Sequence, residues 1–379
     1  MTEALEQIAN RKSPLDETHL RLGAEMRLED GWSVPGSYGD TLLEYASVRE
    51  GGAGLIDLSS RGRLLVSGTE AIQFLNGLIT NDMKTLAEGS WMPAAFPNVQ
   101  GRLIASVRVI RLPDEQTDRN VCPTFLIDTE AATHERVFKT IERFTLAGDF
   151  RVTDLTSQTA HITLQGKKVA QVVRAALGVD VGQFSPTSAS RIDWLTKDRH
   201  ADSTVVRATH TGEDGFDLIV KASDAVDLWN ALQAAGARPV GYDALEILRI
   251  EAGIPRYGID MDETNVVTEV TDDAVSYTKG CYVGQEIIAR IKYRGHVAKK
   301  LTGIKFAQAV KFEAGAPIKS MDDKEIGRLT SSTYSPNLGY TIGLGFVKYD
   351  YLAPETGVRI IASGEQLPAV VTALPFVKL

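Results

Sequence analysis

The densest set of reactive side chains in the sequence is Lys279-Gly280-Cys281-Tyr282-Val283-Gly284-Gln285-Glu286. A lysine ammonium close to a cysteine favours the thiolate, the form that attacks electrophiles and binds metals. Gly280 and Gly284 allow close backbone approach or positive φ. Cys281 is then either a working thiol or a small cysteine that only packs. Arg290, Lys292 and Arg294 follow at alternating positions. On a strand they share one face, since strand side chains alternate. That face would be a basic stripe suited to a phosphate or multi-carboxylate ligand, or a solvated edge that blocks edge-to-edge pairing.

Upstream, Glu213-Asp214-Gly215-Phe216-Asp217 sets three carboxylates around a tight turn. A carboxylate held at a strand start can accept paired N–H donors from a heterocycle such as an aminopyrimidine; a plain hairpin loop uses the same residues. The six histidines (19, 134, 161, 200, 210 and 296) include no pair at helical ligand spacing, so no metal site is expected. Asp260, Asp262 and Glu263 lack the glycine and distal glutamate of a calcium loop and read as a solvated turn. There is no G-x-G-x-x-G and no P-loop signature.

The elements that must position these residues alternate strand and helix. Arg63–Val66 reads as a strand, followed by a helix through Ile72, Leu75 and Leu78. Met92–Pro97 and Leu103–Ile110 pair around turn residues Asn98 and Gly101, and Thr124–Ile127 precedes a helix through Val137 and Ile141. The order recurs: strand Ala160–Leu164, helix Lys167–Leu177 capped by Gly178, strands Val205–Ala208 and Phe216–Val220, then a helix ending at Gly236. Beyond about residue 300 helical periodicity stops, and short apolar runs alternate with turn residues. The expected fold class is α+β: two ferredoxin-like α+β subdomains (36–150 and 151–298) and a C-terminal all-β barrel (299–379). Residues 1–35 are expected to be a polar, partly helical extension.

The 379 residues allow two to three domains at about 150 residues each. A net charge of −8 argues against a broad nucleic-acid footprint. Two distant cysteines, Cys122 and Cys281, make no disulfide framework. No leader-like segment and no long apolar run is visible, so a cytoplasmic protein with no membrane partner is expected.

Five motifs occur in a telling order. They are Phe74-Leu75-Asn76-Gly77-Leu78-Ile79-Thr80-Asn81-Asp82, Thr211–Asp217, Arg249-Ile250-Glu251-Ala252-Gly253-Ile254-Pro255, the cysteine motif with Tyr293-Arg294-Gly295, and Ile326–Ser332 with Gly345-Phe346-Val347. Together they resemble the glycine-cleavage T-protein (aminomethyltransferase) superfamily over about residues 36–379. The cysteine motif is that of its YgfZ branch. The resemblance implies domains round a central channel that holds tetrahydrofolate or a folate derivative. It implies a YgfZ role in maturing or repairing iron–sulfur enzymes, with an indirect effect on tRNA modification, and iron–sulfur enzymes or assembly proteins as partners. Cys281 and Lys279 would carry that role, and Gly280, Tyr282, Gly284, Gln285 and Glu286 would shape the loop.

The same resemblance marks departures. Where T-proteins carry the aspartate that organises aminomethyl transfer, this chain has Ala105, and an alanine can neither move a proton nor stabilise a cation. The tyrosine and glutamate that hold the pterin become His210 and Asp217. The pterin-side arginine falls at Leu245, and the asparagine at Asp128. Asp128, His210 and Asp217 are therefore the expected folate contacts, with Arg290, Lys292 and Arg294 for the glutamate tail. The alternative to the YgfZ role is an aminomethyltransferase or related folate-dependent demethylase.

Overall fold

A computed structural model describes residues 10–113, 122–196, 199–306, 312, 314–362 and 365–378. The chain divides into two compact units. The first runs up to Ala71 and takes in Leu86–Trp91 and Val109–Leu245; the second comprises Ile72–Thr85, Met92–Arg108 and everything from Glu246 on.

A six-stranded sheet dominates the first unit. Its order is Ala189–Leu195, His200–Arg207, Gly215–Lys221, Thr159–Gln165, Gly54–Asp57 and Arg238–Pro239. The two middle strands are buried on both faces. On one face Ala160, Ile162, Leu164, Phe216, Leu218 and Val220 meet helices Val169–Leu177 and Ala225–Ala234 in the main core. Side chains alternate along a strand, so the opposite face receives His161, Thr163, Gln165, Asp217 and Ile219. Ile219 joins a second apolar cluster with Ile110, Leu126 and Val206. The polar residues of that face are sealed in beside it and must find partners there.

The amino-terminal segment departs from the expected polar extension. Arg11–Lys12, Trp32–Ser37 and Glu25–Glu29 form a three-stranded sheet, with a short helix Asp16–Arg21 between them. Leu15 enters the main core, and His19 is fully buried. His19 Nε2 lies 2.9 Å from Asp57 Oδ2, Tyr38 OH lies 2.8 Å from His19 Nδ1, and Ser13 Oγ donates to Asp57. The segment is anchored by a polar network, which leaves no apolar period to read. Residues 1–9 of the expected extension lie outside the described residues.

In the first unit Thr124–Thr129, Gly62–Ser67 and Arg151–Asp154 lie side by side in a sheet, and in the second residues 92–97 and 103–108 are neighbouring strand segments. The expected C-terminal barrel is present. Lys299–Phe306, Tyr340–Lys348, Glu325–Ser335, Pro317–Ser320, Gly357–Ala362 and Glu365–Thr372 close on one another around Ile304, Ile318, Leu329, Ile360 and Val371.

Two of the sequence motifs meet at Arg249. Its guanidinium is 2% exposed. Nη1 donates to Asp260 Oδ2 at 2.5 Å and to the Ile254 carbonyl at 3.2 Å, Nε to Glu246 at 3.0 Å and Nη2 to Ser331 Oγ at 2.7 Å. Thr330 and Ser331 hydroxyls also donate to Asp260 Oδ1. The expected solvated acidic turn is thus partly wrong: Asp260 is a buried counter-ion. Breaking such a pair leaves an uncompensated buried charge. Arg249→Met should cost about 3–5 kcal/mol in urea unfolding; a loss within ~1 kcal/mol would reduce this hub to a surface-type ion pair.

Candidate functional site

Within the first unit, the polar face of the six-stranded sheet gathers His161, His210 and Asp217. Thr163 is the cross-strand partner of Asp217 and Ile219 that of His161, so His161 and Asp217 are diagonal neighbours on one face. His210 reaches them from the turn seven residues before Asp217. Its Nε2 lies 3.0 Å from Asp217 Oδ1 and 3.2 Å from Oδ2. His161 Nε2 lies 3.2 Å from Asp217 Oδ2. That approach is out of line for a hydrogen bond, and neither ring nitrogen of His161 has a hydrogen-bond partner. The side chains of His161 and Asp217 are 0% and 1% exposed; that of His210 is 15%. Burial lowers the pKa of His161, against the opposing pull of Asp217, and holds the ring neutral. Reading the histidines by spacing alone missed this cluster, because the sheet register brings its members together.

The cysteine motif, in the second unit, forms a loop entering the helix Gln285–Arg294. Gly284 is its N-cap at φ +76°, and a Cβ there would collide with the Asn98 carbonyl oxygen, so glycine is required. Gly280 has open space around it and carries no such demand. Gln285 Nε2 donates to the Lys279 and Gly280 carbonyls, each at 3.4 Å, and closes the loop on itself. Val283 N–H donates to the Gly77 carbonyl at 3.1 Å. Glu286 is exposed in the first turn of the helix, where negative charge suits the dipole. Cys281 is exposed at the loop's surface.

Lys279 does something other than expected. Its ammonium is buried and donates to the carbonyls of Asn76 at 2.7 Å, Ile79 at 2.9 Å and Asn81 at 2.6 Å. Those groups terminate the helix Ala71–Leu78, whose last carbonyls lack intrahelical donors. Three acceptors for three N–H groups suit the charged form, although burial pulls the pKa down to about 8. Nζ also sits 4.9 Å from the centre of the Tyr282 ring. Tyr282 is itself mostly buried, which pushes its hydroxyl up to about 12. Lys279 therefore fastens the Phe74–Asp82 motif to the cysteine loop; its charge is spent on carbonyls.

Other expected contacts are not assembled into either group. Arg290, Lys292 and Arg294 sit on a helix, where alternation no longer gives a common face: Arg290 and Arg294 are one turn apart and Lys292 points elsewhere, over the Tyr277 ring at 4.9 Å. All three are exposed. Asp128 is fully buried and held by Arg61, with Nε at 2.7 Å from Oδ1 and Nη2 at 3.1 Å from Oδ2. Ala105 points inward, fully buried, on Leu103–Arg111.

Comparison with known proteins covers nearly the whole chain. Residues 15–276 match the GCVT N-terminal domain and residues 299–378 the glycine cleavage T-protein C-terminal barrel domain. Aminomethyltransferases of Symbiobacterium thermophilum and Rubrobacter xylanophilus are each 31% identical, over 97% of this chain and 97% and 94% of theirs. The chain belongs to the glycine cleavage T-protein family. The crystal structure of the glycine cleavage system aminomethyltransferase T from Bartonella henselae shares the fold, with a TM-score of 0.87 at 23% identity over 98% of this chain and 99% of that one. Among the described residues, no helix of this family member is long and apolar enough to cross a membrane.

Lys279→Met should remove three charged hydrogen bonds and leave carbonyls at a helix end unpaired. We expect a loss of about 2–4 kcal/mol in urea unfolding, with the alkylation rate of Cys281 unchanged below the melting range. Intact stability with slowed alkylation would instead make Lys279 the activator of the thiol.

Proposed function

We propose that this family member binds tetrahydrofolate and acts through Cys281 in a YgfZ-type role, supporting iron–sulfur enzymes, and not as an aminomethyl transferase. The observation that carries the reading is the pairing of an exposed motif thiol with a buried alanine, Ala105, at the position where the resemblance puts the transfer carboxylate. A second reading, aminomethyl transfer itself, is favoured by the names of the full-length relatives. A single-turnover assay with methylene-tetrahydrofolate and an aminomethyl-accepting carrier separates the two. No transfer is expected; stoichiometric transfer would establish the second reading.

The donor set at Asp217 fits a pterin. An aminopyrimidinone edge offers two parallel N–H groups, and a buried carboxylate accepts them with both oxygens. His210 Nε2 already sits within 3.2 Å of both oxygens, on the partly exposed side. It occupies the place that a heterocycle N–H would take. Folate, when bound, would supply a carrier for one-carbon units. The chain's own part is to present the Asp217 carboxylate from a rigid strand and to exclude water by burying it on both sides. Asp217→Ala should weaken tetrahydrofolate binding by about 1–3 kcal/mol in titration calorimetry. His210→Ala should bind at least as tightly as the parent chain, because the ring competes for the carboxylate. Equal affinity for the Asp217→Ala and parent proteins would remove Asp217 from the folate site.

Cys281 has an internal control in Cys122, which is only partly exposed. Cys281 should alkylate faster than Cys122 near neutral pH. Cys281→Ser should melt with the parent protein yet fail to restore iron–sulfur enzyme activities in a strain lacking the gene. Full restoration by the serine variant would leave the thiol without a role.

A further inference from the structure

Among the described residues, His161 is the buried side chain with two polar atoms that lack a hydrogen-bond partner. Its side chain is 0% exposed, and both ring nitrogens lack a hydrogen-bond partner. Burying an imidazole without a hydrogen-bond partner costs free energy. The ring is nonetheless held with Nε2 toward the Asp217 carboxylate on its face of the sheet. His210 points Nε2 at the same carboxylate from another direction. One ligand atom from each of His161, His210 and Asp217 lies within 4.8 Å of the other two.

We infer that His161, His210 and Asp217 form a binding site for a divalent first-row transition metal of the zinc, cobalt or iron(II) class. The separations of 3.0 and 3.2 Å between imidazole nitrogen and carboxylate oxygen are those of neighbouring ligands on one ion, since bonds of about 2.0–2.2 Å place ligands roughly 3–3.5 Å apart. Two imidazoles and one carboxylate exclude magnesium and calcium, which take all-oxygen sets, and match the class that accepts nitrogen. The metal takes Nε2 of His161 and leaves Nδ1 as the N–H. Three protein ligands keep a coordination position for water or a ligand, and the partly exposed His210 side is where it opens. The register supplies the rigidity: two ligands stand on adjacent hydrogen-bonded strands, and the third comes from the turn that starts one of them.

This inference does not rest on the folate reading. Both claim Asp217, so they are tested separately. The full-length protein, free of folate and dialysed against chelator, is titrated with Co²⁺ and followed by its visible d–d absorption, then with Zn²⁺ by calorimetry. We expect about one ion per chain with a Kd of about 1 µM or tighter. His161→Ala and Asp217→Asn, checked for folding by circular dichroism, should weaken binding by about 100-fold or more, beyond the 10–100-fold typical of outer-shell changes. Should either variant not fold, ¹⁵N-histidine spectra of the parent protein decide: on adding Zn²⁺ the His161 and His210 ring signals should shift together, in step with the stoichiometry. Absence of binding in the parent protein, undiminished binding in folded His161→Ala, or shifts confined to other histidines would each overturn the assignment.

Discussion

The strands Thr159–Gln165 and Gly215–Lys221 are buried on both faces, and the first unit depends on that constraint. One face is ordinary core. The other cannot expel its polar residues, and apart from the His161 ring they find partners inside the protein. Gln165 Nε2 donates to Thr163 and to the Ala208 carbonyl, and Gln165 Oε1 accepts from the His210 and Thr211 backbone or side chain. The Thr209–Gly215 turn is thereby held to the sheet, and His210 is aimed at Asp217. A turn that looks like a hairpin loop in the sequence is in fact anchored by a buried amide on the neighbouring strand. Arg49 adds a second tether, through Glu213 at 3.2 Å and the Thr211 carbonyl at 3.3 Å. The carboxylate that chemistry would use is placed by groups that do no chemistry.

The second unit works by a comparable economy. Lys279 and Arg249 are its buried cations, and each collects acceptors from segments far apart in the chain. Lys279 gathers the carbonyls at the end of one helix; Arg249 gathers Asp260, Ser331 and the Ile254 carbonyl. Cations buried this way are weak contributors to net stability but costly to unpair, so they specify which segments meet. The exposed Cys281 then sits on a loop fixed at both ends, by Lys279 on one side and the Gly284 cap on the other.

Much of this was legible in the sequence, where periodicity carried the signal. The helices, the paired strands and the C-terminal barrel follow from apolar spacing and turn residues. Gly284 was legible because its backbone demand is local. What could not be read depended on register or on long-range polar pairing. His161 and His210 are 49 residues apart, and nothing in their spacing says that a sheet makes them neighbours. The amino-terminal sheet escaped notice because its anchor is Ser13, His19 and Asp57, not an apolar stripe. The basic stripe failed for a related reason: three cations at alternating positions fit a strand or a helix equally, and only the cap at Gly284 decides for the helix. The Lys279–Cys281 adjacency in sequence suggested an activated thiol, yet a side chain of four methylenes reaches well past its neighbours, and here buried carbonyls satisfy it better than the sulfur would.

The family resemblance and the departures from it are compatible once positioning is separated from reaction. The Arg249, Phe74–Asp82 and Thr211–Asp217 motifs largely hold segments together: Arg249 binds Asp260 and Ser331, the Asn76, Ile79 and Asn81 carbonyls receive Lys279, and Thr211 and Glu213 receive Arg49. The fold uses these contacts whatever the site does. Ala105, where the resemblance would put the transfer carboxylate, is a buried alanine. Replacing a carboxylate by alanine inside a strand removes a charge that would otherwise need a partner. A fold can keep about a third of its sequence in common with a set of enzymes, and nearly all of its architecture, while the reacting group moves to a different element. In this chain the candidates for that group are a thiol on one unit and an imidazole–carboxylate cluster on the other, and neither calls on a carboxylate at Ala105.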